Sequence, residues 1–153
     1  MKNRVALFCS SLCAVALITA CSSTPEPGKP VTHASVCIEE NNEQRVAIEG
    51  YPRLTGMFTM VSDDMSVGLF EAPQGQGESI SARLTVGTGA NQVEDLPDEY
   101  TEDDLKIHTS DNQVVSTDDR IRVHGRLARY ETGDGGFACY ISVDLVEDVA
   151  DEE

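Results

Sequence analysis

Apolar and polar residues alternate with a period of two in several short stretches of the chain. In residues 45–51, Val46 and Ile48 fall on one face and Arg45, Ala47 and Glu49 on the other. Successive side chains of an extended strand point to opposite faces, so this stretch predicts a half-buried strand. Gly50 stands where such a strand would bend or bulge. Residues 57–61 continue the same sheet, and Asp63-Asp64 turns the chain. Met65, Val67 and Leu69 line a second strand that ends at Pro73. After a turn at Gln74-Gly75-Gln76-Gly77, Ile80, Ala82, Leu84 and Val86 form the inner face of a third. The last unit repeats the pattern twice: Ile121, Val123, Gly125 and Leu127 against Arg120, Arg122, His124 and Arg126, then Phe137, Cys139, Ile141, Val143 and Leu145. Between them Glu131-Thr132-Gly133-Asp134-Gly135-Gly136 is a hairpin turn.

The stretch between the third strand and this hairpin differs in character. From Glu94 to Asp119 there are ten acids against one base, Lys106. Residues 98–107 predict a short helix, with Pro97 near its start, acids in its first turn, and Leu96, Tyr100 and Leu105 as inner contacts. The order is therefore three strands, a helical or irregular connection, and a hairpin. That order predicts a mostly β protein, a small five-stranded closed barrel. A β-sandwich is the alternative.

The long apolar run lies at the other end. Lys2 and Arg4 precede an uncharged core from Val5 to Ala20, shorter than the roughly 20 residues a membrane-spanning helix needs. The run ends in Ile18-Thr19-Ala20-Cys21, which resembles the lipobox of bacterial lipoproteins. The resemblance implies that the Cys21 thiol carries diacylglycerol and that residues 1–20 are removed as a signal. Ser22, with no Asp at that position, resembles the outer-membrane sorting pattern. An ordinary export signal cut nearby is the competing reading. Residues 21–33 then read as a lipidated Cys and a Pro/Ser-rich tether, residues 34–148 as the folded domain, and residues 149–153 as an acidic tail. Residues 22–32, extended as polyproline II, would reach roughly 34 Å.

Removing the signal changes both charge and cysteine count. Two of the 11 Lys+Arg leave with it, so 9 face 27 Asp+Glu, a balance of −18. A chain this acidic is repelled by phosphate backbones and anionic head groups. With Cys21 lipidated, Cys37 and Cys139 are the remaining pair, and an oxidising compartment favours a bond between them. Two separate buried thiols are the alternative.

Residues 45–51, residues 119–127 and the strand from Cys139 to Val146 resemble the OB-fold, in particular small exported bacterial OB-like proteins. The shared features are alternating apolar residues and a mid-strand glycine, and they imply an OB-like barrel without fixing an activity. Arg120, Arg122, His124 and Arg126 project from one strand face of an otherwise acidic chain. They form either a face for an anionic ligand or partner, or charge balance against Glu49, Asp144 or the acidic connection. Nucleic acid is not expected, because the net charge, export and scarcity of stacking aromatics oppose it. No cofactor or metal site is expected: His33, His108 and His124 are scattered, and the acids lack EF-hand order. A loose calcium site in the acidic connection remains an alternative. No nucleophile elbow is present, so a binding or scaffolding role with a protein or glycan partner is expected, an envelope enzyme or enzyme inhibitor being the alternative.

Overall fold

The computed structural model describes residues 25–55 and 63–149. The lipobox sequence, Cys21 and the strand continuation expected at residues 57–61 lie outside the described residues. The strands are β1 Lys29–Pro30, β2 Arg45–Arg53, β3 Asp64–Ala72, β4 Gln76–Thr85, β5 Ile107–His108, β6 Val114–Val115, β7 Ile121–Glu131 and β8 Phe137–Asp148. One short helix, α1, covers His33–Val36.

β2, β3, β4, β8 and β7 are hydrogen-bonded neighbours in that order, and β7 pairs back onto β2. Five long strands therefore close into a ring. The β4–β8 seam is parallel, through Ser81 opposite Tyr140, and the other four seams are antiparallel. This is the expected small OB-like barrel, with β5, β6 and irregular chain connecting β4 to β7. Its interior is aliphatic: Val46, Ile48, Met65, Val67, Leu69, Leu84, Val123, Leu127 and Ile141 are almost wholly buried. Burying each such side chain contributes about 1.5–3 kcal/mol, which lets a core without Trp hold the ring closed. Val93, Leu105, Ile107 and Val115 of the connection join the same core.

The helix expected over residues 98–107 does not form. Only a single 3-10 turn, Glu102–Asp104, is present. The Asp104 carboxylate accepts from the backbone N–H of Thr101 at 2.7 Å and from its hydroxyl at 3.0 Å. These bonds cap the start of the turn, and the helical geometry ends at once because the backbone of Leu105 is extended. Leu105 still reaches the core, but Tyr100 is 44% exposed rather than an inner contact.

Two further departures concern β8 and the tether. His124 faces Leu145 while Gly125 faces Val143, so Asp144 is an extra residue without a β7 partner. The slip exchanges faces, and it is Val146, opposite Val123, that enters the barrel. Phe137, expected inside, is 56% exposed at the hairpin end. Upstream, Lys29 and Pro30 pair in parallel with Val46 and Ala47. Val31 N–H donates to the Ala47 carbonyl at 2.9 Å, and Arg45 Nε–H donates to the Glu26 carbonyl. Residues 26–31, which their prolines assign to a free tether, are thus a strap docked on the barrel. They fit because β3 pairs with β2 only along Tyr51–Arg53 and leaves the start of β2 open on that edge.

Candidate functional site

β7 carries Arg122, His124 and Arg126 on one face, as their alternation predicts, with Arg120 just before the strand. Register decides what they meet. Arg122 stands opposite Glu49 of β2 and Glu147 of β8. Its guanidinium donates to Glu49 Oε1, through Nε at 2.9 Å and also through Nη2, and to Glu147 Oε2 at 3.4 Å. Arg120 reaches the other Glu49 oxygen at 2.8 Å, and Arg126 reaches Glu43 at 2.6 Å. Asp144 pairs instead with Arg45, at 2.5 Å. Each arginine of the stripe has a carboxylate partner, the arrangement expected of charge balance. Cross-strand pairs of this kind contribute roughly 0.2–1 kcal/mol each.

His124 differs from its neighbours. Its side chain is only 4% exposed, because the strap lies over it. Gly28 N–H donates to Nδ1 at 3.0 Å, and Nε2 lies 2.9 Å from Glu147 Oε2. A backbone amide can only donate, so Nδ1 must be the unprotonated nitrogen and Nε2–H donates to Glu147. The sequence pattern sets His124 among exposed cations; the structure makes it a neutral ring buried under residue 28.

Strap, α1 and β2–β7–β8 together enclose a cleft of about 500 Å³, lined by Pro27, Gly28, Pro30, Val31, His33, Glu49, Glu71, Arg120, Arg122, His124 and Glu147 among others. The His124 hydrogen bond, followed by the Arg122 contact, holds the Glu147 carboxyl below the ordinary carboxylate range, against the opposing effect of partial burial. In Arg122, the bond to Glu49 raises an already high pKa. For Glu147 the native pKa is depressed, so the unfolded chain binds the extra proton first as pH falls. Its contribution to stability is present above the unfolded value near 4.5 and is lost as pH falls through the native one. Glu147→Gln is therefore expected to flatten the acid limb of the melting temperature, read by thermal scans at stepped pH. An acid limb as steep as that of the parent would refute the assignment.

The other candidate residues do not join this cleft, His33 at its rim excepted. Cys37 and Cys139 stand at disulfide distance with Cα atoms 5.7 Å apart. His108 bonds Glu94 at 3.0 Å in the connection, and His33 approaches the Leu69 carbonyl at 3.2 Å. Among the described residues no group of three or more His, Cys, Asp or Glu side chains is arranged to hold a metal. Two arginines that the sequence pattern does not single out are instead stacked on rings: Arg83 over Tyr140 at 3.5 Å and Arg129 over Phe137 at 3.6 Å. Nor does strand periodicity reveal the strap, although a lone glycine among prolines, Pro27-Gly28-Lys29-Pro30, is a signal present in the sequence. No protein-family model and no curated protein sequence matches the chain, so the reading of this cleft rests on its own geometry.

Proposed function

We propose that this protein is a lipid-anchored envelope lipoprotein whose OB-like barrel acts as a binding or scaffolding module for a partner protein. Signal removal before Cys21 and acylation of its thiol supply the anchor, most simply in the outer membrane, and the oxidising compartment closes the Cys37–Cys139 bridge. The observation that carries the binding role is the strap docked along the open edge of β2 beside the cleft: the barrel surface there accepts an extended chain through backbone and side-chain bonds. The balanced charges around it provide a fixed polar wall, since Glu49 and Glu147 each hold two cationic or donor groups in place.

The strap also shortens the reach of the anchor. Only four residue steps separate Cys21 from Pro25, and at full extension these span at most about 14 Å. In this reading the barrel sits close to the head groups rather than roughly 34 Å away. Two or more acyl chains make the attachment effectively permanent, at about 0.8 kcal/mol per buried methylene. Metabolic labelling with palmitate followed by membrane fractionation tests it. The parent chain is expected to carry label and sediment with membranes, whereas Cys21→Ser is expected to lose the label and remain unprocessed. Equal labelling of both would remove the anchor from the proposal.

A further inference from the structure

We infer that the groove along the open edge of β2, beneath the strap, is a receptor for an extended peptide of the form Gly-basic-Pro-β-branched, filled in this structure by the chain's own residues 28–31 and open to the same sequence presented by a partner protein. The inference rests on the binding-module reading above and names the partner's chemistry.

Each position of the strap meets a distinct requirement. At residue 28 a Cβ would lie 2.2 Å from the Val46 carbonyl oxygen and 2.3 Å from its carbon, so only glycine fits against β2. The same residue must offer an N–H, since that donor satisfies His124 Nδ1. The next side chain, Lys29, donates from Nζ to Asn41 Oδ1 at 3.2 Å. Asn41 is itself almost wholly buried and is fixed by its amide bonds to the Ser35 and Val36 carbonyls. A proline follows without loss, because the donation to the Ala47 carbonyl comes from Val31. Val31 then packs against the core. Such recognition, by added strand and spaced side-chain sites, is how sheet edges bind peptides.

The occupant is also exchangeable. Residues 26, 27, 29 and 30 are exposed, and the strap is held mainly by a handful of hydrogen bonds, the mark of an element that opens well below global unfolding. A swap between two copies gains little, since each copy brings as many straps as clefts. Two chains of balance −18 also repel one another. The geometry therefore favours a foreign segment. Its binding requires the neutral His124 ring, because a proton on Nδ1 would face the residue-28 N–H. The charged or titratable groups around that ring are Glu147 of β8, Arg122 and Arg120 of and beside β7, Glu49 of β2, Glu71 of β3 and His33 of α1.

The test uses the full chain in detergent with Gly28→Ala, which displaces the strap, and a fluorescein-labelled peptide of sequence Pro-Glu-Pro-Gly-Lys-Pro-Val-Thr. Hydrogen exchange at Val31 reports displacement, and anisotropy reports binding. Saturable binding is expected to the variant, at least tenfold weaker to the parent, and at least tenfold weaker for the peptide with Ala in place of Gly. A second receptor, with residues 26–31 replaced by Ser-Gly repeats that put Ser at 28, serves if Gly28→Ala does not fold. Absence of saturable binding to a folded, strap-released receptor overturns the inference, as does undisturbed exchange at Val31 in Gly28→Ala. A parent chain that dimerises by light scattering and loses the dimer on Gly28→Ala also overturns it, in favour of strap exchange between copies. None of these failures alters palmitate labelling at Cys21, so they remain distinct from failure of the anchor.

Discussion

Changing both Cys37 and Cys139 to Ala is expected to lower the unfolding free energy by about 4–5 kcal/mol, read from urea melts of the parent and variant under oxidising conditions. The two residues are 102 positions apart. Closing a loop of about that length removes roughly 4.7 kcal/mol of chain entropy from the unfolded state. Cys139 is also buried, so its truncation adds a small packing loss. A bond between Cys37 and Cys139 would join the turn after α1 to β8 opposite Arg129, and so tie the entry of the domain to its last strand. Opening it frees the unfolded chain to expand, and the denaturant slope is expected to rise with the exposed surface. Reduced parent should behave as the double variant does. A loss under about 1 kcal/mol would mean that the bond is not closed in the folded protein.

What can be seen in the sequence follows the range of the forces involved. Period-two alternation is local, and it correctly places β2, β3, β4, β7 and most of β8. The faces of Val46, Met65, Ile80 and Ile121 need nothing but their neighbours two residues away. The closeness of Cys37 and Cys139 is legible on the expectation that Cys9 and Cys13 leave with a signal and Cys21 carries lipid, which leaves a single pair. The slip at Asp144 is not legible, because a bulge depends on how two distant strands meet rather than on either alone. The parallel β4–β8 seam is of the same kind: Arg83 meets Tyr140 only through that pairing.

The stripe on β7 shows the same division. Its shared face is legible, but the partners of Arg122 are set by register, with Glu49 and Glu147 directly across two different seams. His124 follows the alternation of the arginines and yet is buried, because a strap almost a hundred residues away lies on top of it. The prolines of residues 26–31 suggest a free tether. Proline removes one donor, but a parallel edge strand requires donors only at alternate positions, and Val31 supplies one here.

Gly125→Ala is expected to lower the unfolding free energy by at least about 3 kcal/mol and the melting temperature by about 10 °C or more. A Cβ at this position would lie 2.0 Å from the Ser142 carbonyl oxygen, 2.7 Å from its carbon and 2.9 Å from Ile141 Cγ2. The first two atoms are backbone, and they cannot turn aside as a side-chain end could. Ser142 is paired with Arg126 across the β7–β8 seam and with Arg83 across the parallel β4–β8 seam. Moving it by the ångström or more that a methyl group requires would strain two seams of a closed ring at once. Gly125 also adjoins the slip at Asp144, where β8 carries an extra residue and the ladder is already interrupted. The close approach of the two strands there depends on the absent side chain. Gly133→Ala is the matched control: nothing lies within 4 Å of the place its Cβ would take, so a change within about 0.5 kcal/mol is expected. Paired thermal and urea melts of these two variants decide the matter. If they lose stability equally, the cause is the general entropic effect of replacing glycine, and the close packing at the slip does not hold the barrel together.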